Sequence, residues 1–279
     1  DNEIAQMWLE ESVAVERQLG DRGNLAQSLH ILGHALFDQA DYDGARSYFD
    51  ESLSIFREFG NKALVPSLVG DLGMVAYYVG DYPTAQRLLE QSISAFRELP
   101  TAVQVLPRML LILGDLARSE GDYARALEIY DASLMEARKV GAPLLVATSL
   151  QKLGQMARLR GEYANASSLI IESLKEHREK GNKQGIAECL AALAGVAFTG
   201  GHLDRAARLF GAADDLLERI KVPLTPADRA QYDRDLAATR SQVDERAWEM
   251  AWAEGRAMSV EHAIEFALAQ TVEATGQKP

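Results

Sequence analysis

Repetition at a nearly fixed period constrains this chain more than any other feature. A Leu-Gly pair recurs as Leu32-Gly33, Leu72-Gly73, Leu113-Gly114 and Leu153-Gly154, and once as Leu193-Ala194. An Ala recurs at Ala5, Ala45, Ala85, Ala126, Ala166 and Ala206, at spacings of 40, 40, 41, 40 and 40. Seven residues beyond each of the first five stands a Ser (Ser12, Ser52, Ser92, Ser133, Ser173), with Ala213 after the last. Between the two sets comes a turn: Ala40-Asp41-Tyr42, Gly80-Asp81-Tyr82, Gly121-Asp122-Tyr123, Gly161-Glu162-Tyr163 and Gly201-His202-Leu203. One unit shows the logic. Leu110, Leu113, Gly114 and Ala117 share one face of a helix. Gly121-Asp122 ends that helix and starts another, on which Ala126, Tyr130 and Ser133 share a face. Gly114 and Ala126 are small enough to predict close approach of two antiparallel helices. A hairpin with a single apolar side cannot bury it alone, so the units must stack.

These residues resemble the tetratricopeptide repeat, whose pattern runs Leu-Gly, a hydrophobe, Ala and an aromatic over a period of 34. The 12 residues from Gly33 to Ala45 match that family's spacing, so the six extra residues fall after Ala45 and before Gly73. Shared between two helices, they lengthen each by about one turn of ~3.6 residues. Long-helix repeats of this kind are similar to those of bacterial regulators and kinesin light chains. The resemblance implies an all-α, right-handed superhelical solenoid of antiparallel helix pairs. It also implies a concave groove lined by the first helix of each pair, which binds peptides, protein domains or small ligands.

With 279 residues, a net charge of −12 and a sequence pI near 5.0, the chain is a poor candidate for gripping nucleic-acid phosphates. One cysteine, Cys189, flanked by apolar helix residues, reads as a buried thiol in a reducing compartment. No stretch approaches the 18 apolar residues of a membrane span, and Asp1-Asn2-Glu3 is no signal peptide. A cytoplasmic chain without membrane contact is expected. Because it opens inside a second helix without Met, it is expected to be a piece of a longer protein.

Taken in order, residues 2–19 form an orphan second helix, punctuated by Gly20 and Gly23. Residues 24–59 form the first repeat, and the later repeats run to about residues 99, 140, 180 and 220. Repeat two is expected to stop at Leu99-Pro100-Thr101. Pro66 and Pro107 share one register, and Pro is tolerated only in a first turn. Their helices are therefore predicted to begin one or two residues earlier. Residues 1–220 are thus one repeat array and 221–279 a C-terminal helical cap. Within the cap, Thr225-Pro226 starts a polar helix over 226–241. An apolar stripe over 243–254 is broken by Gly255. Ser259 caps a last helix, with disorder expected from about Gly276.

The tail carries a second resemblance. Ala206-Ala207-Arg208-Leu209-Phe210-Gly211-Ala212-Ala213, then Pro223, Pro226, Tyr232 and Ala251-Trp252-Ala253-Glu254-Gly255-Arg256-Ala257-Met258-Ser259, is similar to the C-terminal region of large ATP-dependent LuxR-type bacterial activators related to the maltose-regulon activator. In that family the repeats act as a sensor between a nucleotide switch and a DNA-binding module. This chain has neither the phosphate-binding loop nor a basic recognition helix.

Catalytic chemistry is hard to find. His30, His34 and Asp38 stand at i, i+4 and i+8, but two turns separate the ends by ~12 Å, too far to share an ion. No metal and no cofactor is expected, and no enzyme. The candidate site is the groove face, carried over by register. It comprises Gln27, His30, His34, Phe37 and Asp38; Met74, Tyr77 and Tyr78; Arg108, Asp115 and Arg118; Gln151, Gln155 and Arg158; and Glu188 and Phe198. Arg118 and Arg158 in equivalent registers suggest an anionic effector or acidic peptide. Asp115, three residues before Arg118, and Glu162, across the turn from Arg158, are the competing partners. The expected function is a non-catalytic sensor segment of a bacterial transcriptional regulator, with a general protein-binding scaffold as the alternative.

Overall fold

The computed structural model describes residues 2–98 and 104–269, with side chains from residue 6 onward. Every regular element among them is an α-helix: α1 (Asn2–Leu19), α2 (Arg22–Asp38), α3 (Tyr42–Glu58), α4 (Leu64–Tyr78), α5 (Tyr82–Arg97), α6 (Leu106–Ser119), α7 (Tyr123–Lys139), α8 (Pro143–Leu159), α9 (Tyr163–Glu179), α10 (Lys183–Thr199), α11 (Leu203–Ile220), α12 (Pro226–Ser241), α13 (Glu245–Arg256) and α14 (Val260–Ala269). The chain divides into two compact units, residues 1–120 and 121–279. The expected stops at Leu99-Pro100-Thr101 and beyond Gly276 lie outside the described residues.

In the first unit α2 packs on α3 and α4 on α5; in the second, α8 packs on α9 and α10 on α11. Each hairpin is punctuated chemically. The carboxylates of Asp41, Asp81 and Asp122 accept the N–H three residues on, at 3.0–3.2 Å, which satisfies an otherwise orphaned donor of the second helix. The turn residue before each must be left-handed. Gly80, Gly121, Gly161 and Gly201 meet this with φ of +79° to +85°, but Ala40 holds φ +61° against its own Cβ. Pro66 and Pro107 sit in the first turns of α4 and α6, which begin two residues and one residue earlier, as predicted.

The repeated glycines admit side chains more than backbone. A Cβ on Gly33 would stand 2.5 Å from the ring of Phe49, and one on Gly154 would stand 2.6 Å from Ile170 Cγ1. Phe49, Leu89 and Ile170 follow the repeated Ala by four residues and are fully buried. The gap left by Gly is therefore filled by a knob from the partner helix. Four of the repeated Ser, from Ser52 to Ser173, are fully buried too, and they bridge helices. Ser52 and Ser92 donate to the carbonyls of Ala26 and Pro66 at 2.6 Å, while Ser133 and Ser173 meet Ser149 Oγ at 3.0 Å and Cys189 Sγ at 3.3 Å.

In the tail Gly255 does more than mark a helix end. It is the penultimate residue of α13, which stops at Arg256 close to the expected break, and it packs against α11. A Cβ there would collide with the carbonyl of Arg208, and one on Gly211 would come within 2.5 Å of the carbonyl of Trp252. Two glycines facing each other across a helix crossing let the backbones touch, a device that a reading of Gly as a breaker overlooks. The two tail motifs are thus halves of a single contact, reinforced by Arg208 on Glu254 at 2.8 Å and by Arg256 on Asp214. As expected, α14 is capped by Ser259, whose hydroxyl accepts from His262 N at 3.2 Å. Its buried stripe of Ala263, Ile264 and Ala267 joins the core built on α10 and α11.

Candidate functional site

In the first unit the α2 residues split by role. Gln27 and Asp38 are exposed, and Phe37 is buried against Tyr42 and Tyr78, with ring centroids 5.5 and 5.1 Å away. Met74 and Tyr77 on α4 lie inside, at 2% and 0% exposure, and pack the space between helices. The Arg108 guanidinium stands 5.9 Å from the Phe37 ring. Asp115 and Arg118 are buried together, 3.3 Å apart, in the i, i+3 pairing that the sequence offers.

His30 and His34 project from successive turns of α2 onto a residue outside the sequence-derived set. Asp71 on α4 is nearly fully buried. Its Oδ2 lies 2.7 Å from His30 Nε2 and 3.5 Å from His34 Nε2, and the two nitrogens are 3.2 Å apart. Burial pushes the Asp71 carboxyl upward, but hydrogen bonds from both histidines outweigh it and leave the group below the usual carboxylate range. Both imidazoles meet Phe49 edge-on, at 5.8 Å for His30 and 5.1 Å for His34. That ring is itself seated against Gly33. Asp38, two turns beyond His30 on α2, takes no part, in keeping with its distance along the helix. Asp71 holds the position just before the Leu-Gly pair, as does Lys152 two repeats later. A charge at that position in an otherwise apolar helix is the signal that points to it.

In the second unit, Gln151, Gln155 and Arg158 of α8 and Glu188 of α10 line one narrow cleft. Phe198 lies further along α10, half-buried against the core. The rest of the lining is Ala191 and Ala192 of α10, Leu224 and, from α12, Asp228, Gln231, Tyr232 and Asp235. The polar groups are tightly matched. Arg158 donates to both oxygens of Asp235, at 2.7 and 3.3 Å, and to the carbonyl of Gly195 at 3.4 Å. Lys152 Nζ reaches Asp228 Oδ2 at 2.5 Å with both side chains buried. Thr225 Oγ1 adds a second donor to that carboxylate at 2.9 Å. The acid expected at Arg158 is therefore supplied by the chain itself, from 77 residues away. Glu188 accepts from Gln184 at 3.0 Å. Gln151 stands apart: it is 1% exposed, and neither its amide nitrogen nor its oxygen has a hydrogen-bonding partner among the described residues.

Two further titratable groups are buried in the second unit. Burial pushes the Cys189 thiol up to about 12, as an inert core thiol requires. His177, fully buried beneath Gly185, has burial pushing its pKa down to about 4; its Nδ1 meets Asn182 Nδ2 at 3.1 Å. Among the described residues no helix is long and apolar enough to cross a membrane.

Tetratricopeptide repeat models match residues 24–98 and 110–139. No curated protein matches the sequence. Solved structures that share the fold include three with TM-scores above 0.6. NprR in complex with its cognate peptide NprX is 17% identical, with a TM-score of 0.62 over 92% of this chain and 74% of that one. A Rap protein complexed with Competence and Sporulation Factor is 14% identical, with a TM-score of 0.61 over 90% and 69%. A STAND protein with a tetratricopeptide repeat sensor from Pyrococcus horikoshii is 14% identical, with a TM-score of 0.61 over 98% of this chain but 42% of that one.

Proposed function

We propose that this chain is a non-catalytic binding segment that takes an extended peptide or peptide-like partner into the cleft between α8, α10 and α12. Gln151 carries this reading. Leaving a buried amide without partners costs about 1–3 kcal/mol, and such a group pairs readily with the N–H and C=O of a bound peptide bond. The lining combines apolar Ala191, Ala192 and Leu224 with a few placed polar groups, the mix that holds a ligand and fixes its orientation. Two of the similar structures are complexes, one with a cognate peptide and one with Competence and Sporulation Factor. The residues proposed to make contact are Gln151, Gln155 and Glu188, with Arg158 and Asp235 as the cleft's fixed frame.

The finer proposal is that binding reports to other domains, as in a sensor of a bacterial transcriptional regulator. The tail motifs and the repeat sensor of the similar STAND protein support it. The alternative, a scaffold that only holds partners, shares the site and lacks the report. Fluorescence anisotropy with a library of labelled short peptides tests the binding. Peptides that bind the wild type are expected to lose about tenfold or more in affinity on Gln151→Leu, an apolar change of similar volume. Equal binding by both chains, or no binding by any peptide, overturns the reading. A phosphate-binding Gly-x-x-x-x-Gly-Lys-Ser/Thr loop encoded ahead of Asp1 supports the regulator over the scaffold.

A further inference from the structure

The first unit holds a cluster that peptide binding does not use. His30 Nε2, His34 Nε2 and Asp71 Oδ2 form a triangle with sides of 2.7, 3.2 and 3.5 Å. We propose that these three atoms are the protein ligands of a divalent transition-metal site, with Zn²⁺ the ion they suit best.

Geometry comes first. Zn²⁺ binds His nitrogen at ~2.0–2.1 Å and carboxylate oxygen at ~2.0–2.2 Å, in a tetrahedron. Adjacent ligands of such a tetrahedron lie about 3.3 Å apart. A triangle with the observed sides has a circumradius of about 1.8 Å, so one point about 0.9 Å off its plane lies ~2.05 Å from all three atoms. An ion enters with shifts of no more than about 0.6 Å in any pair.

Hydrogen bonding argues the same way. When neutral, each imidazole has one N–H to place. If His30 Nε2 carries its proton toward Asp71 at 2.7 Å, it has no lone pair to accept from His34. If the two nitrogens bond to each other at 3.2 Å, His30 has no proton left for Asp71, so the two contacts cannot both be hydrogen bonds. Three lone pairs directed at one cation satisfy every group at once. Two histidines and a carboxylate are also a donor set suited to zinc.

The ligands are positioned in advance. Gly33 lets the buried ring of Phe49 lie against α2, and that ring meets both imidazoles edge-on. Asp71 comes from α4 and is nearly fully buried, whereas the His34 side chain is 36% exposed and leaves the fourth position open toward solvent. The site joins the first helices of two successive repeats, so a bound ion ties α2 to α4. This inference stands apart from the peptide reading, since it rests on the other unit.

The test uses tag-free, chelator-stripped protein and isothermal titration with Zn²⁺, with Co²⁺ as a spectroscopic probe. One Zn²⁺ per chain is expected, and Co²⁺ should show the intense visible bands of tetrahedral coordination. His34→Ala, at a partly exposed position, and Asp71→Asn, close in shape, should each weaken Zn²⁺ binding by ~10–100-fold or more. Far-ultraviolet circular dichroism checks that each variant keeps its helices. A variant lacking the exposed His202 and His262 should bind as the wild type does. No uptake of Zn²⁺, equal uptake by a folded His34→Ala, or loss of binding in the His202/His262 variant overturns the assignment.

Discussion

Replacing Gly154 by Leu tests the packing logic of the repeat where it is tightest. On propensity alone the change gains roughly 0.8–1.0 kcal/mol, because Gly is a poor helix former. Sterically it fails. The new Cβ stands 2.6 Å from Ile170 Cγ1 and 3.1 Å from the carbonyl of Ala166, and a backbone oxygen in the middle of α9 has little room to yield. Three further carbons must enter a core already filled by the fully buried Ile170. Overpacking of this kind costs about 1–3 kcal/mol, occasionally more. With most of the added side chain in conflict, the upper part of that range applies, and the net loss is about 2 kcal/mol after propensity is credited. For a unit of this size that lowers the melting temperature by about 4–8 °C. Thermal melts and urea titrations followed by circular dichroism measure it. A double-mutant cycle sharpens the test. Ile170→Ala alone should lose about 2–5 kcal/mol through the cavity it leaves. In that background the introduced leucine fills the hole, so the combined loss should fall at least about 1 kcal/mol short of the sum. An unchanged melting temperature in Gly154→Leu, or strictly additive losses, would show that Ile170 is not the knob seated at Gly154.

Two other perturbations follow from single residues. Ala40→Gly should stabilise the first unit by about 0.5–1 kcal/mol, because relief of the left-handed Ala conformation, worth ~1–2 kcal/mol, exceeds the entropy lost to a freer unfolded chain; a lower urea midpoint would refute it. His177 makes the second unit acid-sensitive. Its folded pKa near 4 lies below the ordinary 6.5, so between those values the unfolded chain binds a proton that the folded chain refuses, and stability falls as pH is lowered through that window. The full effect is about 3 kcal/mol. His177→Phe should flatten the stability profile between pH 6.5 and about 4 relative to the wild type, and equal slopes in the two chains would refute it.

The repeat was legible because it is written in residues whose physics is local. Gly in the turn, Asp at the cap, and Ala and Ser on the buried face each act within a hairpin, so their spacing alone predicts helix pairs and their ends. The candidate site was only half legible. Register puts His30, His34, Gln151, Gln155 and Arg158 on their helices, but not their partners. Asp71 escapes that register because it stands one residue outside it. Asp228 and Asp235 lie 76 and 77 residues from the cations they meet, where no periodicity reaches. Gly255 shows the complementary limit, since its place at the end of α13 was legible and its packing role was not. A glycine that lets two backbones touch looks, in sequence, the same as one that ends a helix.

The reach of two α8 side chains to carboxylates of α12 has a consequence for any acid that approaches this face. Lys152 and Arg158 already hold carboxylates that belong to the same polypeptide, so a free anion meets a tethered competitor. A covalently linked group acts at an effective concentration on the order of millimolar, and both resident carboxylates are desolvated in place. A dilute acidic metabolite that offers only its charge therefore cannot exchange for Asp235 to any useful extent. A partner can win this exchange only by bringing several contacts together, which favours a chain of linked groups over a single small ion.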